Sequence, residues 1–392
     1  MVSIARKNLF EDLPRFMVAQ AGIMFAVALV TVQTGLLEGF TKSSSLLIDG
    51  VKADLWVASK SMRFFDLTLP LPYSSVATVQ QLPEVARSEP FIIQSGIWQR
   101  LSDRDIAPVR VIGFDPKGRL FQPWNVQSGS IADLERPNTA FIDRIDAAGL
   151  GITAVGQGAT LNGQRLLVKG MTVGVRSLVA SPYVFMSTEN AHLYTNLVQI
   201  PGQLPLNSAP PLAPDSPISY VLVQVVPGTD LAALKTKLAD AIPNSRILTQ
   251  AEMSKITQVY WRNSTGVGFI LGLGAIVGIV VGTVVVGQIL YASVADHLKE
   301  YGTLKAMGAS DYYLYRVILE QALWMAVLGY LPGLGLAMGL GSWTMQTRAI
   351  QILVSPTSAA VIFGVTVAMC SGAAVFAIQK VTRLDPAMVF KS

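Results

Sequence analysis

Few residues in this chain are of a type and spacing to do catalysis. Its two histidines, His192 and His297, are 105 residues apart, so no H-E-x-x-H helix exists and zinc proteolysis is excluded. A Ser-His-Asp hydrolase would need His192 as its base. Ala191-His192-Leu193-Tyr194 reads instead as a solvated helix position, and no nucleophile elbow marks a serine. The single cysteine, Cys370, lies in an apolar run, which excludes an intramolecular disulfide and any Cys-based metal site. No lysine follows a glycine, so the phosphate-cradling G-x-x-x-x-G-K-[ST] loop is absent. These residues give no catalytic set, no metal set and no ATPase.

What remains is the chemistry of docking. Between two long apolar runs stands one compact charged stretch, Ala295 to Arg316. Val294, Leu298, Tyr301, Leu304 and Met307 recur three or four residues apart and make one helix face; Asp296, Lys299, Glu300, Thr303 and Lys305 lie around the rest. Gly308 is placed to stop this helix as a C′ residue, and Ser310 with Asp311 to cap the next. A short amphipathic helix between two membrane spans must lie at the membrane surface, where another protein can push on it and move both spans. His297 is read as a solvated member of it.

The elements that hold this stretch follow from composition. The chain has 392 residues, 51% hydrophobic and only 14% charged, where soluble domains carry about 25% charged residues. Part of it is therefore in lipid. Met17 to Leu37 holds no charge over 21 residues, enough for about 30 Å of bilayer. It is too long for the core of a cleaved signal peptide and is followed by Glu38-Gly39-Phe40-Thr41-Lys42. The chain divides into an N-terminal segment (1–16), a first span (17–40), a large polar region (41–262), a second span (263–292), the charged segment (293–316), a third span (317–345) broken by Gly329, Pro332, Gly333 and Gly335, a short loop (346–357), a fourth span (358–379) and a C-terminal segment (380–392). Gly268, Gly272, Gly274, Gly278 and Gly282 give the second span small-xxx-small pairs, a smooth stripe for helix packing and for a homodimer. No span carries an ionisable residue at its middle, which leaves no proton relay or ion path. Arg6, Lys7, Arg15, Lys299, Lys305, Arg316, Lys380, Arg383 and Lys391 all fall on one side of this arrangement, so both termini and the charged segment are cytoplasmic and 41–262 is outside.

The outer region holds 20 basic and 17 acidic side chains of mixed order, which is no nucleic-acid footprint. Strands are expected at 53–58, 91–98, 109–114, 166–169, 183–187 and 220–226, and helices at 74–81 and 230–241 with Asp230 at an N-cap. The order strand, Pro-Gly turn, helix, strand over 218–249 is a β-α-β unit. The expected fold is membrane-helical plus α/β. An α/β lobe is assembled from both ends of the region (about 43–116 and 216–262), with a β-rich lobe (about 117–215) inserted. Pro201 to Pro217, with six prolines, is a loop.

Glu300, Gly302, Leu304, Lys305, Ala306, Gly308 and Ala309, in the pattern E-x-G-x-L-K-A-x-G-A, resemble the cytoplasmic coupling segment of MacB/FtsX-type ABC transporter permeases, and Arg383-Leu384-Asp385-Pro386-Ala387 resembles their ending. Tyr301 stands where the family has an aliphatic residue, and Lys299 where it often has Arg. The resemblance implies that residues 296–309 (Asp296, His297, Lys299, Glu300, Tyr301, Gly302, Leu304, Lys305, Ala306, Met307, Gly308 and Ala309) dock a separate ATPase. It also implies that the outer region is a periplasmic domain with a split Porter lobe and an inserted Sabre lobe. Ala5-Arg6-Lys7-Asn8-Leu9-Phe10-Glu11-Asp12, Ala19 to Ala26 and Ala53-Asp54-Leu55-Trp56-Val57 are similar to the DevC-like permeases of cyanobacteria. That likeness implies a homodimer in the inner membrane, in contact with membrane lipids. Its implied partners are a DevA-like ATPase that carries the ATP and Mg, a DevB-like membrane fusion protein and a TolC-like outer-membrane channel, and its implied cargo a glycolipid or other amphiphile. The chain itself would bind no cofactor. A lipoprotein-release or cell-envelope regulator of the same class, and a membrane-anchored sensor, are the alternatives.

Overall fold

The computed structural model describes residues 13–196, 209–296, 300, 303, 305, 307–348, 350 and 352–382. They fall into two compact units, one within 1–39 and 266–392 and the other within 40–265. Among the described residues four helices are long and apolar enough to cross a membrane, and the fold is membrane-helical plus α/β, in the order expected.

The outer unit begins with the end of α1 (Leu13–Ser44) and with α2 (Leu46–Gly50). Its four-stranded half is built from β1 (Leu55–Ser59), β3 (Val85–Gln99), β11 (Tyr220–Val225) and β12 (Ser245–Thr249), in the order β12-β1-β11-β3. All neighbours are antiparallel, so β1 runs parallel to β3 across β11, and β11 parallel to β12 across β1. The crossovers are α3 (Ser74–Gln80) and α6 (Leu231–Ala241). These are two interleaved split β-α-β units, the ferredoxin-like arrangement. Asp230 caps α6 by accepting from the Ala232 and Ala233 amides.

The second half closes on itself. β3 pairs β4 (Ile106–Phe114), β4 pairs β9 (Tyr183–Ser187), β9 pairs β6 (Thr139–Asp143), β6 pairs β8 (Gln164–Thr172), β8 pairs β7 (Gly158–Leu161), and β7 returns to β3 at Trp98 and Gln99. A closed ring has no open edge along these strands. β3 belongs to both halves. Its residues 85–91 pair β11, and 92–99 pair β4. Hydrogen bonding thus puts the 92–114 hairpin with the inserted strands, so the division between halves runs through β3 and not after residue 116. Of the Pro-rich stretch, 201–208 lies outside the described residues; Pro217 of β10 (Pro217–Ile218) pairs with Pro72 of β2 (Leu71–Pro72) in a two-stranded ribbon, β5 (Val126–Ser128) pairs β8, and the short α4 (Arg144–Ala147) follows β6.

Alternation explains the core. Leu55 and Val57 of β1, Val221 and Val223 of β11, and Val184 and Met186 of β9 enter one cluster, with Leu234 and Leu238 of α6. Trp56, Tyr220, Leu222, Tyr183 and Phe185 enter the other, with Leu47 and Ile48 of α2 and Met253 of α7 (Gln250–Ser264). A strand buried on both faces reads as a continuous apolar run, and LWVAS, YVFMS and YVLV are such runs.

The membrane unit holds α8 (Val267–Asp296), α9 (Asp311–Arg348) and α10 (Pro356–Thr382), with the first part of α1. α9 passes through Pro332 as one helix, so the third span is not broken. Gly329 and Gly333 are docking surfaces instead. A Cβ on Gly329 would meet Ile23 Cγ2 at 2.4 Å, and one on Gly333 the Met24 carbonyl at 2.8 Å. α1 lies that close to α9 because neither residue has a side chain.

Candidate transmission site

The charged stretch lies between two spans. α8 reaches Asp296, an exposed residue, after burying Val294. Glu300, Thr303 and Lys305 are helical, the first two exposed and Lys305 half-buried. The Met307 amide donates to the Thr303 carbonyl at 3.0 Å and the Gly308 amide to the Lys305 carbonyl at 3.0 Å. Gly308 then turns at φ +97°, the left-handed region that ends a helix at a glycine. Ser310 Oγ accepts from the Tyr313 amide at 3.3 Å, which caps the start of α9. Met307, assigned to the apolar face by spacing, is 72% exposed in that last turn. Ala309 is half-buried. His297, Lys299, Tyr301, Gly302, Leu304 and Ala306 lie outside the described residues.

The glycine stripe of α8 divides. Cβ atoms on Gly274, Gly278 and Gly282 would meet Gln33 at 2.8 Å, Val30 at 3.1 Å and Met369 Sδ at 2.5 Å, with Ala26 also at 2.8 Å from the last. This four-residue repeat receives α1 and α10 of the same chain. Gly272 meets nothing within 4 Å. Beyond it α8 shows lipid-type side chains, with Phe269 74% and Ile270 66% exposed. The buried helix–helix core collects Ile23, Val286, Leu290, Ile318 and Met325, and the Tyr330 hydroxyl donates to the Ala359 carbonyl at 2.8 Å.

In the outer unit, sequence reasoning missed a polar clasp. Gln250 Nε2 donates to the carbonyls of Ile48 (2.9 Å), Asp49 (3.1 Å) and Val51 (2.9 Å). Ser254 Oγ donates to Asp49 Oδ1 at 2.5 Å, and Gln258 Nε2 to Ser45 Oγ at 2.8 Å. Residues 250, 254 and 258 share one face of α7 at spacing four. That face ties the helix by which the chain leaves the domain to the residues by which it enters. A Thr249–Glu252 capping box starts α7. The four-residue spacing of Gln, Ser and Gln was the available signal.

A buried charge lies near the same helix. Asp66 is pushed above the usual carboxylate range by burial, against the pull of Arg110, whose Nε is 3.4 Å away. His192 sits half-buried in α5 (Thr188–Asn196), with Nδ1 3.4 Å from Asn196 Nδ2; burial lowers its pKa, partly opposed by Asp215. Among the described residues no three His, Cys, Asp or Glu side chains converge as a metal site.

Residues 16–241 match the family model described as MacB-like periplasmic core domain, and residues 269–386 the one described as FtsX-like permease C-terminal. The chain is 26% identical over 164 residues to the pyoverdine export ATP-binding/permease protein PvdT of Pseudomonas syringae pv. tomato, a match covering 41% of this chain and 24% of that protein. It is 24% identical over 127 residues to the probable export ATP-binding/permease protein MacB of Pseudomonas entomophila, covering 28% and 19%. The matches therefore span about a quarter or less of the length of these relatives. Among solved structures, the periplasmic region of MacB from Actinobacillus actinomycetemcomitans aligns at 13% identity and TM-score 0.35, over 53% of this chain and 94% of that one. The extracellular domain of the noncanonic ABC-type transporter YknZ from Gram-positive bacteria aligns at 11% and 0.33, over 50% and 99%.

Proposed function

This chain belongs to the family of MacB-like, FtsX-like ABC transporter permeases, and on that premise we propose that it is the membrane subunit of an exporter whose motor is a separate ATPase. The observation that carries this is the short charged segment between α8 and α9, with Gly308 and Ser310 fixing its exit into α9. Force applied there by closing nucleotide-bound subunits would move α8 and α9, and the outer domain would move cargo. ATP and Mg belong to the partner, and this chain binds no cofactor and hydrolyses nothing. Asp296, Glu300, Lys305, Met307, Gly308 and Ala309, with the adjoining His297, Lys299, Tyr301, Gly302, Leu304 and Ala306, make the ATPase contact.

The finer reading is a DevC-like permease of a cyanobacterial inner membrane, with cytoplasmic termini, acting as a homodimer beside a DevA-like ATPase, a DevB-like fusion protein and a TolC-like channel, on a glycolipid or other amphiphile. It rests on the N-terminal resemblance. The relatives' names, export ATP-binding/permease proteins, support the export direction. A mild-detergent pull-down of the tagged chain from its own membranes, read by mass spectrometry, tests it. An ATPase and a fusion protein should be captured, and the ATPase lost on Glu300→Arg or Gly302→Trp. An ATPase without a fusion protein would favour lipoprotein release or envelope regulation. No ATPase on intact protein would defeat the coupling assignment and leave a sensor.

A further inference from the structure

The outer unit carries a groove of about 770 Å³ for which the coupling mechanism has no use. One wall is a face of α7. Glu252, Lys255, Ile256, Val259, Tyr260 and Asn263 line it at spacings of three and four, which makes a single helix face about 16 Å long. The opposite face of α7, Met253, Ser254 and Thr257, is buried in the domain. On the groove face Glu252, Lys255, Val259 and Asn263 are exposed, while Ile256 is half-buried against the aromatic core. The floor is Ile247 and Leu248 of β12, the edge strand. Tyr260 stacks on Phe64 at 3.9 Å and 11°, so its ring is a fixed wall with one face already covered.

The charges are one-sided. Arg63, Arg246 and Lys255 all line the groove, all are exposed, and none has an ion pair among the described residues. Glu252, the one acid in the lining, is already engaged. Lys235 Nζ lies 2.6 Å from it and the Thr249 amide donates to it at 2.7 Å, and these bonds hold its carboxyl below the usual range. Three free cations beside an apolar wall match a ligand with an anionic head and an apolar tail. Guanidinium groups offer phosphate a paired set of donors, and Ile256 and Val259 offer area for a chain to leave water. Free phosphate would leave that wall bare. Ser264, at the end of the lining, precedes the membrane helix α8 by three residues of chain.

We propose that this groove binds an anionic lipid, the head group held by Arg63, Arg246 and Lys255 and an acyl chain laid along Ile256 and Val259. The site stands independently of which ATPase or channel the permease serves. The test is native mass spectrometry of the full chain in nonionic detergent, titrated with lysophosphatidylglycerol, with lysophosphatidylcholine of equal chain length, and with glycerol phosphate as the head alone. Lysophosphatidylglycerol is expected to bind at least about tenfold more tightly than the zwitterionic lipid, and glycerol phosphate not to displace it. Arg246→Gln with Lys255→Gln should weaken it about tenfold. Val259→Glu, at a residue 37% exposed, should do the same with every cation in place. Equal binding of the two lipids, or unchanged binding in folded variants, overturns the proposal. Displacement by glycerol phosphate reduces the groove to a phosphate site and overturns the lipid assignment. The comparison of lipids on the unaltered chain decides the matter even where a variant fails to fold. Because no ATPase is present, a negative result leaves the export assignment untouched, and a failed pull-down leaves the groove standing.

Discussion

Asp66 is one residue through which the outer domain responds to pH. Its carboxyl is buried, and burial raises its pKa against the opposing pull of Arg110, 3.4 Å away. The folded state therefore binds this proton more tightly than the unfolded chain does. Stability from the site is whole below the unfolded carboxyl value, about 3.9, and is lost as pH rises through the raised folded value. Asp66→Asn removes the titration while keeping an acceptor for the guanidinium. Thermal unfolding of the full chain, followed by tryptophan fluorescence from pH 4 upward, should show the variant gaining on the unaltered protein as pH rises. A constant difference across that range would mean that Arg110 holds Asp66 ionised throughout.

At the scale of elements, the glycines of α8 and α9 settle how the membrane helices fit. Gly282 has Ala26 and Met369 where a side chain would go, whereas Gly272 faces open space. Gly282→Leu should therefore destabilise the single chain by about 1–3 kcal/mol, the usual cost of overpacking. Gly272→Leu should leave its unfolding unchanged, and any effect it has on subunit number, read by cross-linking in membranes, belongs to a seam between copies. Equal destabilisation by both would contradict the division of the stripe. The small-xxx-small spacing was legible in the sequence; what it packs against was not, because a glycine repeat carries no record of its partner. The same limit applied elsewhere. YVFMS and the Asp230-capped helix were plain from apolar runs and cap chemistry. The short GATL strand that closes the ring has no period to find, and nothing in β3 marks the point at which it changes partners. Pro332 read as a break because proline removes one hydrogen bond, yet a helix in a bundle continues past it. The spacing of Gln250, Ser254 and Gln258 puts three polar residues on one helix face, but polar type alone does not say that they meet backbone and not water.

For the whole molecule, transmission requires that the outer domain be moved as a body and not unravelled from its ends. The chain enters it through α1 and α2 and leaves through α7, and the bonds from Gln250, Ser254 and Gln258 to Ile48, Asp49, Val51 and Ser45 join those two ends within the domain itself. Leu47, Ile48 and Met253 seal the same contact in the aromatic core. Under the proposed mechanism, a load applied at either end of the domain is then shared by both ends. Two consequences can be measured. Residues 45–262, made without the spans, should fold and melt in one cooperative step, since no bond of the clasp depends on the membrane unit. Gln250→Ala with Gln258→Ala should cost that fragment about 1–3 kcal/mol, at about 1 kcal/mol per net hydrogen bond, a fall of about 2–4 °C in Tm for each kcal/mol at this length. In the full chain the same pair should lower transport while the ATPase is still captured, because the clasp is remote in sequence from the coupling turn. A fragment that melts without cooperativity, or a double variant that transports at the unaltered rate, would show that motion reaches the domain by another route.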